Sequence, residues 1–137
     1  MCNIYKEILA KFAKNLVKTK RKDLDLKMDI LNNFYAIKDA SAPTTSEETW
    51  NRRGDTLTVQ LEGNFVGAEV KVLGCSDLEI EEFHPITGFD SSFNLTDTMK
   101  TAGLYTFPID GMGKFKIDIV AINGGSMSVF CRVTTGG

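Results

Sequence analysis

The feature that most constrains this chain is the stretch of residues 56–135, in which short apolar runs alternate with polar residues and are separated by glycines. In the segment Thr56–Glu62, for example, every second residue from Leu57 to Leu61 is apolar. Such alternation is typical of strands with one buried face, and close spacing of the turns is typical of an antiparallel sandwich or barrel. We therefore predict a mainly β fold, an antiparallel β-sandwich of the Ig-like or jelly-roll-like kind. The predicted strands are 56–62, 66–74, 78–84, 92–97, 104–109, 114–122 and 126–134.

Two glycine-containing segments predict turns between these strands. Asn123-Gly124-Gly125 lies between two alternating runs and predicts a tight hairpin, because its central positions tolerate a positive φ. Asp110-Gly-Met-Gly113 predicts a second turn, directly before the strand at 114–122.

The N-terminal region has a different pattern and a different charge. Residues 1–40 carry nine basic and five acidic side chains, a net charge of +4, whereas residues 41–137 carry seven and thirteen, a net charge of −6. Residues 3–20 predict an amphipathic helix, because apolar residues recur at spacings of three and four while lysines occupy the other face. The apolar stripe consists of Ile4, Ile8, Leu9, Phe12, Leu16 and Val17.

Residues 21–37 fit two patterns. Leu24, Leu26, Met28 and Ile30 alternate as in a strand, yet Leu24, Met28, Leu31 and Tyr35 also share one helical face. We favour a second helix through about Ala36. The stretch Ala40–Thr49 is rich in Ser, Thr, Ala and Pro and predicts a linker. The predicted organisation is a helical docking or oligomerisation segment (1–40), a linker (41–53) and a β-sandwich domain (54–137).

The titratable residues of the sandwich form no recognisable catalytic or metal-binding motif. His84 is the single histidine of the chain and has no second metal ligand nearby in sequence. Glu79, Glu81 and Glu82 are interpreted as a solvated strand face that discourages edge-to-edge pairing. Arg53-Gly54-Asp55 spells an integrin-recognition tripeptide but is also ordinary turn chemistry before the first strand. We expect no catalytic, cofactor-binding or metal-binding residues, and hence no enzyme activity.

Cysteine usage and hydropathy bear on the compartment. Cys2, Cys75 and Cys131 are an odd number without CxxC spacing, so we expect free thiols in a reducing cytoplasm, with the latter two buried as small apolar residues. No run of about eighteen apolar residues is present, and the N-terminus lacks the pattern of a secretory signal. We expect synthesis in the cytoplasm and no membrane association.

The strand and turn motifs of residues 54–135 resemble those of a small β-sandwich found among tailed-bacteriophage structural proteins. The motifs are the opening Gly54–Val59, the Gly-x-Phe-x-Gly-Ala-x-Val-x-Val-x-Gly pair at Gly63–Gly74, the strand entry Ala102–Tyr105, the turn Asp110-Gly111 and the segment Ile122–Ser126. The resemblance implies a sandwich that decorates a capsid or forms part of a head fibre, neck or tail fitting. The usual Asp-Gly…Trp feature of the third strand is replaced by Cys75–Phe83, so no ligand site is carried over.

The resemblance and the N-terminal pattern together predict a non-enzymatic virion component. The sandwich would face outward, while the N-terminal segment forms a homo-oligomer or docks onto capsid, neck or tail proteins. The predicted assembly interface consists of Ile4, Ile8, Leu9, Phe12 and Leu16. An alternative is a ligand-binding module that recognises a glycan or another host-surface molecule through the loops His84–Phe93 or Leu95–Gly103. A third is nucleic-acid binding through the lysine-rich segment, which the three aspartates at 23, 25 and 29 make less favourable.

Overall fold

The computed structural model describes residues 29–136, and within them Ile30–Thr135 form one compact unit built from β-strands. The strands are β1 (Asp29–Ala40), β2 (Thr44–Thr45), β3 (Thr49–Trp50), β4 (Thr56–Glu62), β5 (Phe65–Val66), β6 (Glu69–Cys75), β7 (His84–Pro85), β8 (Gly88–Phe89), β9 (Leu95–Thr96), β10 (Gly103–Pro108), β11 (Lys114–Ala121), β12 (Gly124–Gly125) and β13 (Met127–Thr135). The mainly β prediction is confirmed for this part of the chain. The predicted strand at 56–62 is found unchanged, and those at 104–109, 114–122 and 126–134 are found within one residue at each end.

The strands form two main antiparallel sheets and one small one. The first has six strands in the order β1-β13-β4-β10-β8-β9. The second has the order β2-β11-β6-β7, with β3 also paired to β11, and the small sheet pairs β12 with β5. The long pairs β13–β4, β10–β4 and β6–β11 are antiparallel.

The inner faces of the two main sheets share one apolar core. Phe107 of β10 and Phe115 of β11 are completely buried, and each belongs to the same cluster although the strands lie in different sheets. Burying such side chains contributes about 1.5–3 kcal/mol each, which explains why the alternating runs were readable from the sequence. The arrangement is sandwich-like, with one buried face on each sheet.

β1 corrects the predicted second helix. Residues 29–40 form an edge strand of the six-stranded sheet, so the helix prediction is wrong over residues 29–36. Contacts with β13 favour the strand: the rings of Tyr35 and Phe130 lie 5.1 Å apart, and Arg132 Nε donates to Asn33 Oδ1 at 2.9 Å. Tertiary pairing of this kind decides segments whose sequence fits both periods. The helix predicted over residues 3–20 lies outside the described residues.

The predicted linker is instead bound to the second sheet. β2 and β3 both pair with β11, with Asp118 opposite Thr45 and Phe115 opposite Thr49. Between them Ser46 donates its backbone N–H to Ile117 O and accepts the N–H of Ile117 at its hydroxyl. The Ser and Thr residues that suggested a linker therefore serve as partners of a strand edge.

Of the two turns predicted from the glycine-containing segments, the structure contains one and lacks the other. Met112 N donates to Ile109 O at 3.0 Å, which closes the predicted turn before β11. The hairpin predicted at Asn123-Gly124-Gly125 is wrong, because β11 and β13 lie in different sheets and β12 pairs with β5. Gly125 has a φ of 81°, and a Cβ there would overlap the Asn64 carbonyl oxygen. Alternation reveals which face of a strand is buried but not which strand it pairs with.

The strand predicted at 78–84 is also wrong, since only His84–Pro85 is extended there. Leu78 and Ile80, the apolar residues of the alternation, are 43% and 49% exposed. The loop is held locally instead: the thiol of Cys75 contacts the carbonyl oxygens of Asp77 and Ile80 at 3.2 and 3.3 Å. The predicted 66–74 strand is divided into β5 and β6, and the 92–97 strand is reduced to β9.

Candidate interaction surface

A buried charge lies at the start of β11. Lys114 is completely buried, and its ammonium group lies 3.0 Å from Glu81 Oε1 and 3.4 Å from both carboxylate oxygens of Glu48. It also donates to the Leu78 carbonyl oxygen at 3.1 Å. A buried ammonium group needs such partners, because an unpaired buried charge is strongly unfavourable. The cluster joins three separate segments of the chain.

The pKa shifts of Lys114 and Glu81 both favour the charged form of the side chain. Burial alone lowers the pKa of Lys114, but the hydrogen bonds with Glu81 and Glu48 outweigh it and raise the pKa above its usual 10.5. The pKa of Glu81 is lowered from its usual 4.5, first by a hydrogen bond with Glu48 and then by Lys114. General acid–base catalysis is most effective with a pKa near the working pH. These groups therefore have the properties of a structural ion pair.

The sequence-level candidates His84, Glu79 and Glu82 do not join this cluster or one another in a reactive site. His84 is exposed, and its Nε2 lies 3.6 Å from Glu82 Oε1. The backbone N–H of Glu79 donates to the Asp77 carboxylate. Among residues 29–136, no group of three His, Cys, Asp or Glu side chains is arranged to hold a metal ion. This part of the chain also contains no helix long and apolar enough to cross a membrane.

The Arg-Gly-Asp tripeptide is built into the sandwich. Gly54 is buried, and its N–H donates to Asn51 Oδ1 at 2.8 Å, while Asn51 Nδ2 contacts the carbonyl oxygens of Gly54, Ile109 and Met112 at 2.9–3.1 Å. Asp55 donates its backbone N–H to Thr134 O and accepts the backbone N–H of Ile109 at its carbonyl oxygen. The turn interpretation of this segment is the one that these contacts favour.

The two described cysteines are free and buried, as predicted. Burial raises the pKa of the Cys131 thiol to about 12. A thiol with so high a pKa stays protonated near pH 7, and the thiolate is the nucleophilic form. Cys131 therefore acts as a small apolar core residue. Cys2 lies outside the described residues.

Apolar side chains are exposed on the β8–β9 hairpin, at the edge of the six-stranded sheet. Phe89 pairs directly with Leu95 across the hairpin and with Thr106 of β10, so these side chains share one face of the sheet. Phe89 is 38% exposed, Leu95 71% and Phe93, in the connecting turn, 85%. Exposed apolar groups that lie together, unlike single ones, mark interaction surfaces.

The turn that carries Phe93 is tightly organised. The backbone N–H groups of Ser92 and Asn94 both donate to Asp90 Oδ1 at 2.9 Å, and Phe93 N donates to Asp90 O at 3.0 Å. The backbone hydrogen bond from Asn94 is the main cause of the lowered pKa of Asp90. Phe93 itself has a φ of 64°, in the left-handed region that bulky residues rarely adopt.

The hairpin brings together the two loops that the sequence suggested as a ligand-binding surface, His84–Phe93 and Leu95–Gly103. A polar groove of about 620 Å³ runs beside it and is lined in part by Leu95, Asp97 and Lys100. The sequence pattern alone does not single out Phe93. The signal that was available is its place in Asp90-Ser-Ser-Phe-Asn94, where the other residues are typical of turns.

The predicted assembly residues Ile4, Ile8, Leu9, Phe12 and Leu16 lie outside the described residues, so their prediction stays untested. Trp50 is 54% exposed in β3, with the Arg52 guanidinium 5.9 Å from its ring centre. A cavity of about 790 Å³ lies between β1 and residues 40–49. Its wall includes Phe34 and Glu48, which are already engaged with Phe115 and Lys114.

Comparison with known proteins gives similar solved structures, which include two phage-related proteins. No protein-family model matches the chain, and no curated protein matches it. The SPBc2 prophage-derived protein YomS superposes with a TM-score of 0.70 at 24% identity, over 79% of this chain and 95% of YomS. The PBSX exported protein XepA superposes with a TM-score of 0.71 at 20% identity, over 79% of this chain and 38% of XepA. The chain therefore has a β fold shared with two prophage proteins, which confirms the resemblance predicted from its strand motifs at the level of the fold.

Proposed function

We propose that the chain is a non-enzymatic structural component of a phage virion, with the sandwich displayed outward and the N-terminal segment mediating assembly. The observation that carries this proposal is the fold, which covers nearly all of the prophage-derived YomS and part of XepA. XepA is named as an exported protein, and a place in a released particle is compatible with that description. The partners would be further copies of the chain and other virion proteins of the capsid, neck or tail.

The chemistry of the described residues supports a role without catalysis. Lys114 donates to the Leu78 carbonyl oxygen and Asp90 accepts the backbone N–H of Asn94, so both hold a segment of backbone in place, while Glu81 pairs with Lys114. The Cys131 thiol is buried and protonated. Titratable side chains engaged in such contacts stabilise the sandwich and are not placed to act on a substrate.

The virion role is tested on particles of the phage that encodes the chain. After lysis, particles are purified by sedimentation and by density gradient, and the chain is measured in each fraction with an antibody. We expect the chain to comigrate with the major capsid protein at a constant ratio and to be visible on intact particles by immunogold labelling. A chain that stays entirely in the supernatant would overturn the proposal.

The assembly role is proposed for the stripe Ile4, Ile8, Leu9, Phe12 and Leu16. A helix of this length is marginal alone and needs a packing surface, which symmetric copies of the chain could provide. The double substitution Ile8→Asp with Phe12→Asp should reduce the solution mass from oligomer to monomer, measured by light scattering after gel filtration. Lys11→Asp with Lys14→Asp is the matched control, because it changes the polar face. An unchanged mass in the apolar double variant would contradict the assembly role.

A second candidate, a ligand-binding module, is favoured by the exposed hairpin and its groove. If the groove binds a glycan, the full chain should give saturable binding on a glycan array. Asp97→Ala should then reduce that binding, because Asp97 lines the groove with a hydrogen-bond acceptor. Unchanged glycan binding by Asp97→Ala would show that the groove is not the glycan-binding site.

A further inference from the structure

We propose that the outer edge of β1 pairs with β1 of a second copy of the chain, antiparallel and about a two-fold axis, so that the six-stranded sheets of the two copies join. The inference deepens the proposed assembly role and rests on it for bringing the copies together, because a pair of strands alone is marginally stable. It uses a surface other than residues 4–16. Three observations carry it: the length of the free edge, the uncharged sequence along it and the match between its two halves.

β1 is the long edge strand of the sandwich. Within residues 29–136 it ends the six-stranded sheet and pairs with β13 alone, so the N–H and C=O groups on its other side face no described strand. It contains twelve residues, whereas the strands that end the sheet orders elsewhere, β2, β7 and β9, contain two each, and β7 includes Pro85. Short strands and proline discourage pairing at an edge, and a long strand is a template for it.

The side chains along this edge do not oppose pairing. Residues 30–37 include no charged residue, and charged side chains are a usual device that prevents edge strands from pairing. Ile30, Leu31 and Tyr35 are 50%, 40% and 46% exposed. A second strand beside β1 would remove these apolar groups from water, which is favourable.

The side chains of β1 alternate between the two faces of the sheet. Phe34 and Ala36 pack against the core, so the period of a strand places Ile30 on the same, inner face. Tyr35 lies on the outer face, where its ring contacts that of β13, and the same period places Leu31 there. An added strand would therefore meet apolar side chains on both faces.

The two halves of β1 are complementary to each other. The first half presents the exposed Ile30, and the second half borders the cavity of about 790 Å³ between β1 and residues 40–49. The apolar lining that β1 gives to this cavity consists of Phe34, Ala36, Ile37 and Ala40. Antiparallel pairing lays the first half of one copy beside the second half of the other, so each Ile30 would meet an apolar wall. A strand of another protein would also satisfy the backbone groups of β1, but the chain itself supplies the side chains that match, and we therefore infer a second copy.

Two-fold symmetry restricts the register of such a pair. Residues directly opposite in an antiparallel pair point to the same face, so each odd-numbered residue must lie opposite an odd-numbered one. A register centred on Asn33 places Ile30 opposite the partner's Ala36, at the wall of the cavity. It also places Leu31 opposite the partner's Tyr35 on the outer face. Aromatic and aliphatic side chains in this position stabilise antiparallel strands.

The experiment is disulfide cross-linking of the full chain in a Cys2→Ser background, in which the remaining thiols, Cys75 and Cys131, are buried. In the proposed register the two Asn33 residues lie opposite each other, with Cα atoms about 4.5–5.5 Å apart, which a disulfide can span. The two Asn32 residues are diagonal neighbours at about 7–8 Å, which is too far. Under mild oxidation Asn33→Cys should form a covalent dimer on the order of tenfold faster than Asn32→Cys, measured by non-reducing electrophoresis.

A second substitution tests the side-chain match. Ile30→Lys brings a charge to the apolar wall of the partner and should prevent the disulfide of Asn33→Cys. Gln60→Lys is the matched control, because Gln60 is an exposed residue of β4 in the interior of the same sheet and should leave the disulfide unchanged. The Tm of each chain is measured to verify that it is folded.

Three results would overturn the proposal: no covalent dimer from Asn33→Cys, equal rates for Asn33→Cys and Asn32→Cys, or a dimer that Ile30→Lys leaves unchanged. The first is the result expected if another segment of the chain or another protein covers β1. The assembly role of residues 4–16 is read separately, from light scattering. An oligomer without the disulfide would reject the pairing of β1 alone, whereas the disulfide with an unchanged mass for Ile8→Asp with Phe12→Asp would reject the role of residues 4–16 alone.

Discussion

Lys114 and Phe93 both break the usual rule of burial, in opposite directions. The ammonium group of Lys114 is completely buried, whereas the ring of Phe93 is 85% exposed. Lys114 has two carboxylates and a carbonyl oxygen of its own chain around it. Phe93 instead occupies a left-handed conformation that a bulky residue rarely adopts.

The difference between the two sites distinguishes a residue that supports the fold from a residue that does not. The buried charge of Lys114 is compensated by hydrogen-bond partners within the chain, so the cluster contributes to the fold. At Phe93 the exposed ring and the strained backbone are both unfavourable for the isolated chain, and features of that kind concentrate at functional sites. Loss of the native side chain should therefore lower stability at Lys114, whereas at Phe93 a residue that tolerates the left-handed conformation should not.

The largest effect is expected for Lys114→Ala. It leaves Glu48, Glu81 and the Leu78 carbonyl without their common donor and opens a cavity, so we expect Tm to fall by on the order of 10 °C in calorimetry. Lys114→Met keeps the stem and should lose less, because Glu81 is 71% exposed and can be hydrated. Lys116→Ala, two residues along β11, is the matched control. Equal Tm values for Lys114→Ala and Lys116→Ala would remove the structural role of the cluster.

An intermediate effect is expected for Gly88→Ala, which tests how firmly the hairpin is joined to the core. Gly88 is buried, and a Cβ there would overlap the carbonyl oxygen of Thr106 and lie against the ring of Phe107. Overpacking of this kind costs about 1–3 kcal/mol, to be measured by denaturant unfolding. Gly103→Ala is a useful contrast, because space is open there and any loss comes from its φ of 148°. An unchanged free energy of unfolding for Gly88→Ala would show that the hairpin moves independently of the core.

The sequence correctly predicted the strands whose apolar residues fit an extended period and no helical one. In β4 the alternation of Leu57, Val59 and Leu61 corresponds directly to a buried face, and the strand was found with its predicted ends. β1 was missed because its apolar residues fit both a helical and an extended period, and pairing with β13 decides between them. The hairpin prediction at residues 123–125 was wrong because local alternation does not identify the partner strand.

The candidate surface was predicted only in outline. The loops 84–93 and 95–103 were proposed from their position between strands, but the exposure of Phe93 depends on how the hairpin leaves the sheet. Lys114 was missed for a related reason: Phe115 faces the core, so its neighbour belongs on the outer face, yet the segments around Glu48 and Leu78 cover it. Contacts between distant segments are absent from a local pattern.

A small, pH-dependent effect is expected at Glu81. Its pKa is lowered below 4.5 in the folded chain, so its contribution is present above that pH and is lost as the pH falls through the folded pKa. The difference in Tm between the wild-type chain and Glu81→Gln should therefore shrink between roughly pH 6 and pH 3. The raised pKa of Lys114 has the opposite sign, since its contribution is lost only as the pH rises above 10.5. Glu79→Gln in the same loop is the control, and a pH-independent difference for Glu81→Gln would refute the ion-pair assignment.

The smallest effect, and the one of opposite sign, is expected for Phe93→Asn. Asparagine tolerates the left-handed conformation, so the substitution should leave the free energy of unfolding unchanged or raise it by up to about 1 kcal/mol. Phe93→Val keeps an apolar side chain but is β-branched, and should be destabilised by the same φ of 64°. Denaturant unfolding of the three chains gives the comparison. A clear loss of stability in Phe93→Asn would mean that the ring supports the fold, and Phe93 would then belong with Lys114 as a structural residue.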